Sequence, residues 1–112
     1  MVRAAHKHRV KRVVITSSIA SILNQAEADR KDIYNEDDWS NVAVCNAYAK
    51  SKTLAEKAAW VYLEGIPESE RFELVIINPG FVLGPNLCNG DFTSGSIIMK
   101  FLLGKFPGIP RI

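Results

Sequence analysis

Two short apolar runs and one longer amphipathic stretch set the rhythm of this chain. "KRVVITS" (11–17) and "FELVIIN" (72–78) are rich in β-branched and apolar residues and bounded by polar or turn-forming ones. That is the pattern of strands buried on both faces of a parallel sheet. Between them, "NAYAKSKTLAEKAAWVYLE" (46–64) predicts a helix with Leu54, Ala58, Val61 and Tyr62 on its apolar face and Glu56 and Lys57 turned outward. Gly65 and Pro67 in "EGIPESER" break it. Strand, helix, strand is a βαβ unit, so the fold class is α/β with two parallel strands joined by a right-handed crossover. Residues 2–9, "VRAAHKHR", read as the closing turns of a further helix. "SGSIIMKFLLGK" (94–105) reads as another, with Ser94 or Ser96 near its N-cap, and "FPGIPRI" as an extended end. The polar stretch from Ile19 to Asn46 is too long for a plain connection and predicts an excursion toward a binding site.

Composition narrows the class more than it names a function. The chain has 112 residues, 47% hydrophobic and 23% charged, which fits at most one domain with a small core. A net charge of +2 implies no strong field for nucleic acid or an anionic membrane. Arg3, Lys7, Arg9, Lys11 and Arg12 gather without an acid among them, but no aromatic residue is interleaved to stack on bases. They read as a solvated helix end feeding a strand. His6 and His8 flank Lys7 in this cationic context and read as surface residues. Cys45 and Cys88 form neither a disulfide framework nor a metal-ligand spacing, and read as packing residues in a reducing compartment, with no metal site. No run approaches the roughly 18 apolar residues needed to span a bilayer. The first twelve residues lack the apolar segment of a signal peptide, so the expectation is a cytoplasmic protein with neither nucleic-acid nor membrane partners.

Three features fall where a parallel sheet puts chemistry. "TSS" (16–18) clusters hydroxyls at the carboxyl end of the first strand, where open α/β sheets bind ligands. Tyr48 and Lys52 are four apart on the helix and share a face. A phenol, with an ordinary pKa of about 10, exchanges protons poorly near neutrality. A cation held within about 4 to 6 Å favours its ionised form and brings it toward acid–base work. "NPGFVLGP" (78–85) follows the second strand: Pro79 ends the ladder, and Gly80, lacking a Cβ, lets backbone approach a flat ligand. All three map to one edge of one sheet.

The order "VKRVVITSS", an acidic loop with "EDDWS", "YAKSKTLAEKAAW" and "INPGFVLGP" resembles the extended short-chain dehydrogenase/reductase family. The similarity is strongest to its dihydroflavonol-reductase-like branch, which includes cinnamoyl-CoA reductases and fungal ketone and methylglyoxal reductases. The resemblance implies a partial Rossmann-like, doubly wound parallel sheet and an NADPH-dependent reduction of a ketone or aldehyde, with NADP rather than NAD as cofactor. It implies that Ser18 hydrogen-bonds the substrate carbonyl, that Tyr48 protonates its oxygen and also contacts the cofactor, and that Lys52 assists the phenol and holds the nicotinamide ribose. Ser17 is the alternative to Ser18, since a one-residue slip exchanges the hydroxyl facing the site. Pro79, Gly80, Phe81 and Val82 would line the nicotinamide, and Ser96 would be a further cofactor contact. Lys50 matches no functional position.

The chain departs from that family in having no glycine-rich turn of the kind that cradles a pyrophosphate. Residues 1–112 therefore read as the central to C-terminal portion of a Rossmann-like domain, lacking its N-terminal glycine-rich half. The expectation is weak or no NADPH binding and no activity by the segment alone, with self-association through an exposed sheet edge. Two alternatives share the residues: an epimerase or dehydratase of nucleotide sugars on the same fold, and a catalytically inactive truncated or regulatory piece.

Overall fold

The computed structural model describes residues 1–85, 87, 93–106 and 108. The elements are α1 (Val2–Lys7), β1 (Arg12–Thr16), α2 (Ala47–Glu64), β2 (Glu73–Ile77) and α3 (Thr93–Leu102), with 3-10 turns at Ile19–Ser21, Glu27–Asp29 and Glu68–Glu70. They fall into two compact units, Met1–Gly80 and Phe81–Ile112.

In the first unit β1 and β2 pair in parallel, from Arg12 opposite Glu73 to Thr16 opposite Ile77. The βαβ expectation therefore holds. One detail differs: Val13 and Leu74 are buried and Ile15 and Ile76 pack against the same cluster, whereas Val14 and Ile77 on the other face are about half exposed. Parallel strands are buried on both sides only where helices cover both, and within this unit the crossover helix covers one.

Helix α2 starts where Asn46 Oδ1 accepts the Ala49 N–H at 2.8 Å and ends at Gly65, whose N–H reaches the Val61 carbonyl at 3.1 Å. Its buried residues are Ala49, Thr53, Glu56 and Ala59. The predicted apolar face is thus corrected. Leu54 and Val61 are 48% and 66% exposed, while Glu56, expected outside, is buried. Lys57 is half-buried and lies 5.0 Å over the Trp39 ring. The reason is that the helix meets polar strand ends at its first half, and apolar periodicity cannot register a carboxylate that finds hydrogen-bond donors there. Its second half completes the core of Val13, Ala59, Ile66, Phe72 and Leu74, with Trp60, Tyr62 and Leu63 alongside.

Helix α1 adds Val2 and Ala5 to that core. His6 is not a free surface residue: its Nδ1 lies 3.0 Å from the Tyr62 hydroxyl and its Nε2 3.0 Å from Glu70 Oε2. A ring donating to the carboxylate and accepting from the phenol satisfies both contacts. His8 is exposed, as expected. Arg9 closes α1 at φ 52°, with its N–H on the His6 carbonyl and that of Val10 on the Ala5 carbonyl.

The polar stretch after β1 is held by its own bonds. Ser40 donates its N–H to the Ser21 carbonyl at 2.8 Å and its hydroxyl to the Ala20 carbonyl at 2.9 Å, and its Oγ accepts the Asn24 N–H at 2.8 Å. Its far end is an acidic turn in which Asn35 Oδ1 accepts the Asp37 N–H, Asp38 Oδ2 accepts the Asn35 N–H, and Lys31 pairs with Asp38.

In the second unit α3 begins at Thr93, so Ser94 and Ser96 lie in its first turn, close to the N-terminus as expected. It closes through Gly104 at φ 64°, and Phe101 stacks on Phe106 with ring centroids 4.5 Å apart. Cys88 and most of "FPGIPRI" lie outside the described residues; Cys45 is a half-buried free thiol.

Candidate active site

The hydrogen-bond ladder of the sheet continues beyond the strands. The Ser17 N–H bonds the Ile77 carbonyl at 2.7 Å and the Ile19 N–H bonds the Pro79 carbonyl at 3.1 Å. This sets "TSS" and "NPG" side by side at the carboxyl end of the sheet, the end where α/β folds collect ligands. The two serines then diverge. Ser18 has extended backbone and caps the Ile19–Ser21 turn, its Oγ accepting the Ala20 N–H at 3.1 Å. Acting there as acceptor, the hydroxyl keeps its proton for another partner. Ser17 Oγ instead lies 3.5 Å from Ser21 Oγ, in the interior.

Beneath the serines sits a polar cluster that the sequence did not reveal. Ser21 is fully buried, with its Oγ 2.7 Å from the Ser18 carbonyl and 2.8 Å from Glu56 Oε2. Asn78, next after β2, directs Nδ2 at the Ser18 carbonyl (3.1 Å), Ser21 Oγ (2.9 Å) and Glu56 Oε2 (3.0 Å). The ends of both strands and α2 are joined at this point. The available signal was the spacing Tyr48, Lys52, Glu56, every four residues along one helix face. Glu56's partners are 35 and 22 residues away, beyond any local pattern.

Tyr48 and Lys52 lie eight and four residues before Glu56, or about 12 and 6 Å along the helix axis. Tyr48 is 58% exposed, and the half-buried Lys52 brings its Nζ to 6.0 Å from the Tyr48 ring centroid. None of the ion pairs among the described residues uses Lys52. Between them, Ala49 and Thr53 are buried, with Thr53 Oγ1 donating to the Ala49 carbonyl at 2.8 Å, so α2 is seated at this level. Lys50 is exposed.

Pro79 is half-buried and Gly80 exposed. A Cβ built on Gly80 would meet only Ile19 Cδ1, at 3.6 Å, an ordinary contact. Nothing inside this unit therefore demands a glycine there. Phe81 and Val82 are exposed, and Ser96 half-buried, within the second unit.

The acidic turn shows perturbed titration. The Lys31 ammonium, by hydrogen bond, and the Asn35 N–H hold the Asp38 carboxyl below the usual carboxylate range, and Asp38 in turn raises Lys31. A cavity of about 560 Å³ at the amino end of β1, away from the polar cluster, is lined by Lys7, Arg9, Lys11 and Glu70 among others; another, of about 260 Å³, is lined by Glu56 and Asn78 of the cluster together with Trp39 and Trp60. Among the described residues no group of three or more His, Cys, Asp or Glu is placed to hold a metal ion, and no helix is long and apolar enough to cross a membrane.

No protein-family model matches the chain. Curated proteins do. It is 40% identical over 90 residues to the NADPH-dependent methylglyoxal reductase of Saccharomyces cerevisiae, covering 73% of this chain and 26% of that protein. It is 37% identical over 109 residues to cinnamoyl-CoA reductase 2 of Arabidopsis thaliana, covering 94% and 32%. To tetraketide alpha-pyrone reductase 2 of the same plant it is 35% identical over 113 residues, covering 93% and 33%. The chain thus spans about a quarter to a third of the length of these relatives.

Proposed function

Because this chain belongs to the dihydroflavonol-reductase-like branch of the extended short-chain dehydrogenase/reductase family, we propose that it supplies the proton-delivery part of an NADPH-dependent reductase of ketones or aldehydes. In this reading residues 1–112 are the central to C-terminal portion of a Rossmann-like cofactor domain. The observation that carries it is the meeting of "TSS" and "NPG" on one continued ladder, bonded to the helix that bears Tyr48 and Lys52.

The residues fit one end of the cofactor. Gly80, where the chain's own packing leaves room for a Cβ, offers bare backbone to a flat ring, and Pro79 flanks it. Lys52, free of ion pairs among the described residues, has three donors for a ribose diol. Phe81, Val82 and Ser96 are proposed as further contacts of the nicotinamide end. When bound, the reduced nicotinamide supplies a hydride to the carbonyl carbon. Ser18 donates its hydroxyl proton in a hydrogen bond to the carbonyl oxygen and fixes its direction. Tyr48 transfers its phenolic proton to that oxygen as negative charge gathers on it. Lys52 places a positive charge near the phenol as its proton leaves. Ser17, drawn toward Ser21, suits the interior better than the substrate.

Grafting residues 1–112 in place of the matching segment of the Saccharomyces cerevisiae methylglyoxal reductase tests this reading. Retained NADPH oxidation with small ketones and aldehydes, and none with nucleotide sugars, is expected. A graft that folds but acts only on nucleotide sugars, or on nothing, overturns it. We also propose that the open sheet edge mediates self-association, which sedimentation of the purified chain at rising concentration checks.

A further inference from the structure

Glu56 is the one carboxylate buried among the described residues, 8% exposed. Burying such a group is costly unless donors replace its water, and an apolar residue of similar size would often serve stability as well. What an apolar side chain cannot do is accept from two elements at once. Glu56 Oε2 takes a hydrogen bond from Ser21 Oγ, in the turn after β1, and from Asn78 Nδ2, just past β2. Every proton of the cluster has an acceptor: the two Asn78 hydrogens face Glu56 Oε2, Ser21 Oγ and the Ser18 carbonyl, and the Ser21 hydrogen faces Glu56 Oε2. Ser21 Oγ also lies 2.7 Å from that carbonyl, and its single proton serves one acceptor at a time. Removing the carboxylate leaves the Ser21 hydroxyl to Ser18 and the Asn78 amide to Ser18 and Ser21, so that neither side chain is any longer bonded to α2.

We propose that Glu56 is a positioning residue: by fixing Ser21 and Asn78 together it sets the Ser17–Ser18 turn relative to α2, and so aims the Ser18 hydroxyl at the site Tyr48 serves. This rests on the reductase reading for its catalytic meaning, but the positioning itself is measurable without turnover.

Two measurements on Glu56→Leu and Glu56→Gln decide it. In the 112-residue chain, amide hydrogen exchange at Ala20, Ser21 and Ile22 is expected to quicken at least about tenfold in Glu56→Leu while the β1 and β2 amides keep their protection. Glu56→Gln, whose carbonyl oxygen can accept from both donors, restores the slow rates. In the graft described above, kcat is expected to fall about 10- to 100-fold in Glu56→Leu with KM for methylglyoxal within about threefold, and Glu56→Gln to return kcat to within about threefold of the parent. Unchanged exchange in the turn, or exchange that rises equally through the strands, overturns the proposal. So does an unchanged kcat in Glu56→Leu when the parent graft is active. A parent graft without turnover counts against the reductase reading instead, and the exchange data still decide whether Glu56 holds the turn.

Discussion

The two halves of α2 are held by different forces. Its second half rests Ala59, with Trp60, Tyr62 and Leu63, on a core of Val13, Ile66, Phe72 and Leu74. Its first ten residues bury Ala49, Thr53 and Glu56, and Glu56 bonds Ser21 and Asn78 at the strand ends. Apolar contact is non-directional and tolerates small rotations, whereas hydrogen bonds fix distance and angle. The proposed chemistry sits on the part where direction is specified. Stability comes mainly from the other.

That division sorts mutations by what they should damage. The largest effect belongs to the core half: Phe72→Ala should cost about 3–5 kcal/mol of stability, a large share of what a domain of this size has. Chemical denaturation followed by circular dichroism measures it, and a loss under about 1 kcal/mol would mean the core lies elsewhere. At the site end Gly80→Ala should do the reverse. The added methyl meets one side-chain atom at ordinary contact distance, so the melting temperature should hold while NADPH affinity in the graft drops about tenfold, roughly 1.4 kcal/mol. Equal losses of stability and binding would erase the distinction between the halves.

A smaller effect tests the end of α2 that carries Tyr48. Asn46→Ala removes the cap on the Ala49 N–H and should cost about 1 kcal/mol, seen as a melting temperature lower by a few degrees. The smallest concerns the acidic turn. Asp38 is held below its ordinary value, so its contribution is present above about pH 4, the unfolded carboxylate value, and fades as pH falls through the lower folded one. Lys31 is raised, so its contribution is present below about pH 10.4 and fades as pH rises through its folded value. Between those limits the turn should keep slow exchange at the Asn35 and Asp37 amides, and Asp38→Asn should remove most of the acid dependence. Screening at the surface keeps the effect on global stability slight.

Much of this arrangement was legible in the sequence, for local reasons. "KRVVITS" and "FELVIIN" gave both strands within a residue or two because β-branched runs have few other uses. The adjacency of "TSS" and "NPG" followed from a βαβ unit, since parallel strands end on the same side. What escaped depends on partners distant in the chain. Glu56 looked like a solvated helix charge because Ser21 and Asn78 cannot be paired with it by spacing. His6 looked like part of a basic surface until Tyr62 and Glu70 were found beside it, 56 and 64 residues on. The one-sided sheet escaped for a related reason: an apolar run states what a strand can bury, not what lies over it.

Single-turnover oxidation of NADPH by the graft, followed by absorbance with methylglyoxal as substrate, puts the greatest strain on the role given to Tyr48. Replacing the phenol by Tyr48→Phe leaves the ring and removes the proton, so the rate should drop about 10²- to 10⁴-fold with the fold and NADPH binding intact. A rate within about threefold of the parent would show that the proton comes from somewhere else and would remove the chemical reason for placing Tyr48 and Lys52 on one helix face.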